Sequence, residues 1–177
     1  DNAANLSRRT WLAALAAAPA MIDIARAQTQ TPAGAVASVR GMAFAEVGPG
    51  TRTLIEATAV FLDEFLRTGE DSRLGVQLSN GNRIDLGARA RLKIDRAILN
   101  GGGALTLGSG ALMLDRPDQG KKGRLTVTSP YAVIAVRGTK FFVGDADGYG
   151  VFVERGVVQV AAAGKRVELK AGQGTTI

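Results

Sequence analysis

Residues Val133 to Val143 read VIAVRGTKFFV. Two apolar runs of strand character are joined there by Arg137, Gly138 and Thr139: a charge, the freest backbone and a hydroxyl. Parity decides how the stretch folds. Side chains of a strand alternate between its two faces, so if Ile134 and Val136 point inward, an unbroken strand also points Gly138, Lys140 and Phe142 inward. That buries a lysine, which is costly unless the charge is paired. One extra residue at Gly138 reverses the phase, bringing Phe141 and Val143 to the side of Ile134 and Val136 and turning Lys140 to water. A β-bulge, or a bend between two sheets, produces this shift, and glycine accepts its geometry most readily. Arg137 then lies at the bend. Two roles are open to it: its five donors can satisfy carbonyls left unpaired by the disrupted ladder, or it is a merely exposed strand arginine.

The same texture extends on both sides. From Val36 onward short apolar runs alternate with glycine-containing breaks, the pattern of an all-β protein and not of alternating strands and helices. Candidate strands include VASVRGMAFA from Val36, RTLIEA from Arg52, GALTLGSGALML from Gly103 and KRVELKAG from Lys165. Asn80-Gly81 and Asp147-Gly148 are hairpin signals, because both dipeptides tolerate the positive φ of tight turns. Leu74, Val76 and Leu78 share one face, and Ile84 with Leu86, Leu92 with Ile94, Leu125 with Val127, and Val167 with Leu169 project inward at period two. AVFLDEFLRTG, from Ala59, allows one short helix, since Phe61 and Phe65 are spaced like a helix face. The expected architecture is all-β, a twisted β-sandwich or solenoid-like stack of short, mostly antiparallel strands preceded by an N-terminal signal segment.

Composition narrows the chemistry. The 177 residues include neither Cys nor His, which removes thiolate nucleophiles, the Ser/His/Asp relay, the usual zinc sites and disulfides. The formal net charge of +6 invites a nucleic-acid reading. Clustering is what is missing: apart from Lys121, Lys122 and Arg124, the basic residues are interleaved with acids, as in RTGEDSR from Arg67. A solvated, mildly basic surface is the commoner cause of such a charge.

The first residues have the order of an export signal. Arg8 and Arg9 precede an Ala-rich apolar segment from Trp11 to Ile22, and Ala25-Arg26-Ala27 forms a small-x-small cleavage site. SRRTWL looks like a twin-arginine signal. The apolar run falls short of the roughly 20 residues that span a bilayer. Residues 1–27 are therefore expected to be an export signal, 28–35 (QTQTPAGA) a flexible lead-in, and 36–177 a single all-β domain in the bacterial periplasm.

TSPYAVIAVRGTKFFV, followed by GYGVFVERGVVQVAAAGKRVELKAGQ, resembles the FecR domain of bacterial periplasmic proteins. The matching parts are Pro130, Val136, Arg137, Gly138 and Thr139, then Gly156 to Val158 and Ala171 to Gln173. LRTGEDSRLGVQLSNGNRIDLGARARLKI looks like the family's upstream half, with Asn80 where Asp is more usual. The likeness runs over about 36–177 and is strongest in the last fifty residues. Sigma-regulating members carry a cytoplasmic helical segment and a membrane helix before this domain. The resemblance thus implies a stand-alone exported version: a sensing or interaction module, its partner a protein such as the periplasmic part of a membrane signalling protein, with no cofactor.

Other motifs carry less. DADGYG opens like a calcium loop, but the closing glutamate position is Gly156. The glycine-rich stretch from Asn100 lacks the Gly-Lys-Ser/Thr ending of a phosphate loop. Glu64, Asp71, Asp85 and Asp95 sit beside Arg, Ser or Gly in turns or outward strand positions, where surface pairing is expected. No catalytic, cofactor or metal residue is assigned. The leading expectation is a non-catalytic protein-binding module that uses strand edges. A cell-envelope scaffold or carbohydrate-binding β domain is the alternative, and an envelope hydrolase using paired carboxylates ranks third.

Overall fold

The computed structural model describes residues 31–95, 102–118, 123–145 and 148–177. The export segment with Arg8, Arg9, Ala25 and Ala27 lies outside the described residues, as do Lys121, Lys122 and Asp147. Every regular element described is a strand. They are β1 (Pro32–Arg40), β2 (Ala43–Val47), β3 (Gly50–Thr53), β4 (Ala59–Phe61), β5 (Phe65–Thr68), β6 (Arg73–Leu78), β7 (Arg83–Leu86) and β8 (Arg91–Ile94). The chain continues through β9 (Gly103–Ser109), β10 (Leu112–Asp115), β11 (Leu125–Thr128), β12 (Val133–Asp145), β13 (Tyr149–Ala162), β14 (Lys165–Lys170) and β15 (Gly174–Thr176).

All fifteen belong to one mixed sheet, curled into a half-barrel, in the order β3-β2-β5-β8-β9-β11-β12-β10-β7-β6-β1-β4. Pairings are antiparallel except that of β9 with β11. The long strand β12 is the pivot. Its first half pairs β11, with Leu125 opposite Val136, and its second half pairs β10, with Leu112 opposite Val143. The sheet therefore has two arms, one running from β11 to β3 and the other from β10 to β4. β13 follows β12 along both halves and carries β14 on the first arm and β15 on the second.

The arms fold onto each other. A straight strand of the 13 residues of β12 would hold its ends roughly 40 Å apart. Yet Tyr131, just before β12, packs against Tyr149, at the start of β13, with ring centroids 4.6 Å apart. Between the arms lies the core, a single cluster built from Leu66, Leu92, Ile94, Leu105, Leu125, Ile134 and Val136 on one side and Val76, Ile84, Leu86, Leu114, Phe141 and Val143 on the other. Each such burial stabilises by about 1.5–3 kcal/mol before chain entropy is subtracted.

The bend at the pivot has the expected phase reversal. Ile134 and Val136 are buried, then Thr139, Phe141 and Val143, with register shifts between Arg137 and Lys140 and between Lys140 and Phe141. β13 reverses in step: Val151 and Val153 are buried in one half, Val158 and Val160 in the other. The same inversion separates β9 from β10, where buried Leu105 and Leu107 give way to Leu112 and Leu114, while β1 changes phase at a bulge between Val36 and Ser38; VASVRGMAFA and GALTLGSGALML, each read as one run, are broken where they pass from arm to arm.

Several local expectations are corrected. Residues 59–69 hold no helix: β4 and β5 flank a turn with Asp63 at φ +65°, in which the Leu62 N–H donates to the Thr31 carbonyl. The helix-like spacing of the two phenylalanines is cut by the crossing between arms. The lead-in ends earlier than Ala35, because β1 begins at Pro32 and Ala33 is buried against the core. Val167 lies opposite buried Val160 but stays 44% exposed, on a strand, β14, whose one neighbour among the described residues is β13. RTLIEA gives only the end of β3, which starts at Gly50. The Asn80-Gly81 hairpin forms between β6 and β7, with Gly81 at φ +83°.

Candidate functional site

The corner of β12 is built by its neighbours. Gly138 sits at φ +62° and Gly156, facing it on β13, at φ +86°. A Cβ on Gly156 would stand 2.7 Å from the Gly138 carbonyl oxygen, so the two strands meet closer than side chains allow. Thr139 fills the inner corner, fully buried, with no hydrogen-bond partner for its Oγ1 among the described residues. Its carbonyl accepts the Arg116 N–H at 2.8 Å. Arg116 is buried too, and its guanidinium donates to the Gly123 carbonyl at 2.5 Å. Burial lowers the pKa of Arg116 from the ordinary arginine value, though a guanidinium in a protein stays protonated. Asp118 closes over the outer side of the corner, 3.1 Å from where a Gly138 Cβ would be.

Three of the four motif residues thus shape the fold: Val136 packs in the core, Gly138 bends, and Thr139 plugs the corner. Arg137 does none of this. It is exposed and, among the described residues, forms no hydrogen bond or ion pair, which settles the choice in favour of the exposed strand arginine. Its side of the sheet holds a groove of about 380 Å³ lined by Arg124, Ala135, Val136, Arg137, Val157, Gln159 and Glu168.

The carboxylates are scattered. Glu64 is not on the surface: it is buried, accepts the Phe61 N–H at 3.0 Å, and takes a two-pronged contact from Arg52 at 2.7 and 3.2 Å. Arg52 also donates to the Ala59 carbonyl at 2.7 Å, so the pair ties β3 to β4 across the seam of the curl. Asp85 pairs with Arg83 at 2.9 Å, and that hydrogen bond, with the carboxylate's charge, raises the pKa of Arg83. Asp71 sits in a turn at φ +49° and Asp95 follows β8, both exposed. Among the described residues no three acidic side chains gather as a metal site would require.

Sequence reading missed the sorting of charge between faces. On the outer face of the second arm three cations are neutralised, Arg83 by Asp85, Lys140 by Glu154 at 2.8 Å and Arg155 by Asp115 at 2.7 Å, while Arg40 and Arg73 face one another with no ion pair among the described residues. On the first arm Glu46 serves both Arg67 and Arg91, at 2.9 and 3.5 Å, while Arg91 and Lys93 also lie over the Phe65 ring. Beyond these, Arg124, Arg137 and Lys170, like Arg40, Arg73, Lys165 and Arg166, are exposed with no acid in contact among the described residues. Strand register brings three of these, Arg124, Arg137 and Lys170, close together in space.

Fold and corner together define an all-strand module with a basic outer groove. The chain belongs to the FecR family, whose model, described as FecR protein, matches residues 64–159. No curated protein matches it. Among solved structures, the fold is shared with two crystal structures, at 1.65 and 2.50 Å resolution, of a protein assigned as an anti-sigma factor from Parabacteroides distasonis ATCC 8503. Each has a TM-score of 0.55 at 15% identity, over 62% of this chain and 52% of that one. The shared part is about half of that protein's length. Among the described residues no helix is long and apolar enough to cross a membrane.

Proposed function

We propose that this chain is a non-catalytic sensing module of bacterial envelope signalling, working in the periplasm by binding a protein partner, the periplasmic part of a membrane signalling protein. The observation that carries the reading is membership of the FecR family over the segment that contains the Arg-Gly-Thr bend. The sharing of fold with a protein assigned as an anti-sigma factor supports the same direction. Periplasmic placement rests on the sequence of residues 1–27, with the pair Arg8 and Arg9 as the export signal and Ala25 and Ala27 as the cleavage site. The reading needs no cofactor.

Cross-linking of the full chain, epitope-tagged in its own host, tests it. One envelope protein recovered specifically is the expected result, and Arg8→Lys with Arg9→Lys should hold the chain in the cytoplasm and abolish the capture. A chain that reaches the periplasm and cross-links to no specific protein under several growth conditions refutes the proposal. Binding on a glycan array in place of protein capture would establish the scaffold or carbohydrate reading instead.

A further inference from the structure

We infer that Arg124, Arg137 and Lys170 form a docking row for an acidic polypeptide segment of the partner. The inference rests on the protein-binding reading above and names the chemistry of its partner. Strand register puts the three cations in line. Arg137 is opposite Val157, and Val157 is opposite Lys170. On the other side Leu125 pairs Val136, so one step further along that ladder places Arg124 beside Arg137. Strands lie about 4.8 Å apart, so the row crosses β11, β12, β13 and β14 over roughly 14 Å.

Like charges directly opposite one another on a sheet are unfavourable. On the second arm Arg83, Lys140 and Arg155 have a carboxylate each, while Arg40 and Arg73, opposite one another on β1 and β6, have no ion pair among the described residues. Among the described residues the row has none in contact: the acid lining the groove is Glu168, which pairs with Gln159 two residues along the ladder. Nor does the fold need Arg137, since Gly138 and Thr139 make the bend. An arrangement that is unfavourable alone and unneeded for folding becomes favourable when an anion lies across it.

Two features select a polypeptide. Val157 lies between Arg137 and Lys170 and is 41% exposed, and Ala135 adds to an apolar floor on which the methylene stems of acidic side chains can pack. At the end of the row, β14 pairs among the described residues with β13 alone, leaving a ladder edge to which backbone N–H and C=O groups of a partner can bond.

The test is fluorescence anisotropy at low salt with a labelled octaglutamate peptide and the full chain. Wild type should bind, and R124Q/R137Q/K170Q should bind roughly 10- to 100-fold more weakly, as three exposed charge pairs allow. R40Q/R73Q/K93Q removes equal charge elsewhere and should stay within about twofold of wild type. Equal loss in both triple variants overturns the inference, as does displacement by oligogalacturonate or inorganic phosphate at lower concentration than octaglutamate needs. If the row variant still cross-links to the partner as wild type does, the inference fails while the proposed function stands. If wild type finds no partner but octaglutamate binding is lost in the row variant alone, the proposed function fails and the row survives.

Discussion

Replacing Gly156 by alanine probes the corner most directly. Its φ of +86° lies in the left-handed region, where an added Cβ costs roughly 1–2 kcal/mol. The same Cβ would stand 2.7 Å from the Gly138 carbonyl oxygen, 2.8 Å from Thr139 Cγ2 and 3.2 Å from Thr139 Cα. Two of those atoms are backbone in a corner whose neighbours are fully packed, so relief requires the strands to part, a cost of about 1–3 kcal/mol by analogy with overpacked cores. The sum, about 2–5 kcal/mol, is a large share of the 5–15 kcal/mol that holds an ordinary domain together. Gly164→Ala supplies the reference: its φ is +75° but nothing lies within 4 Å of the added carbon, so it carries the conformational cost without the collision. Both variants restrict the unfolded chain equally, and that contribution cancels in their difference. Urea unfolding with unchanged slope should place Gly156→Ala at least about 1 kcal/mol below Gly164→Ala. Midpoints that agree within about 0.3 kcal/mol would refute the claim that close strand approach at this glycine sets the bend.

Thr139→Val should leave stability unchanged or raise it by about 1 kcal/mol, because it removes a buried hydroxyl without a partner and keeps the shape of the plug; a loss above about 1 kcal/mol in urea titration would mean the hydroxyl is bonded. Arg52→Ala should cost about 3–5 kcal/mol, discounted toward the lower figure because the Arg52 side chain is 34% exposed, since Glu64 would remain buried without its cation; thermal unfolding reads this out. Burial pushes the Tyr149 phenol up, with Ser129 opposing and Tyr131 adding to the shift. The unfolded phenol ionises first as pH rises through about 10, so stability should be complete below that pH and decline above it. Tyr149→Phe should flatten the decline, and an identical alkaline profile in the variant would exclude this residue as its source.

The strands were legible wherever one face is buried, because alternation at Leu74, Val76 and Leu78 or Ile84 and Leu86 records burial directly in the chain. The bend was legible for the same reason: burying Lys140 is so costly that parity alone demanded a phase change at Gly138. Local pattern failed where the chain crosses between arms. Gly110 reverses phase as Gly138 does, and β1 shifts at a bulge between Val36 and Ser38, but nothing polar forced the reading in either run, and each passed for one strand. Glu64 looked like a surface acid because its partner, Arg52, lies on another strand across the seam. Val167 looked like core because its alternation is correct, but it sits on the edge strand β14 and stays exposed.

By itself, then, the amino-acid order determined that this is an all-strand protein, which residues face inward along most strands, and that β12 must turn over at a glycine. These follow from short-range physics: side chains alternate with period two, and burying an unpaired charge costs too much. Only the tertiary structure decided that two arms close on each other, that Arg52 and Glu64 seal the seam, and that Arg124, Arg137 and Lys170 stand in one row. Those depend on which strands become neighbours, and pairing between residues far apart in sequence is set by the competition of the whole sheet for the core, which no local stretch encodes.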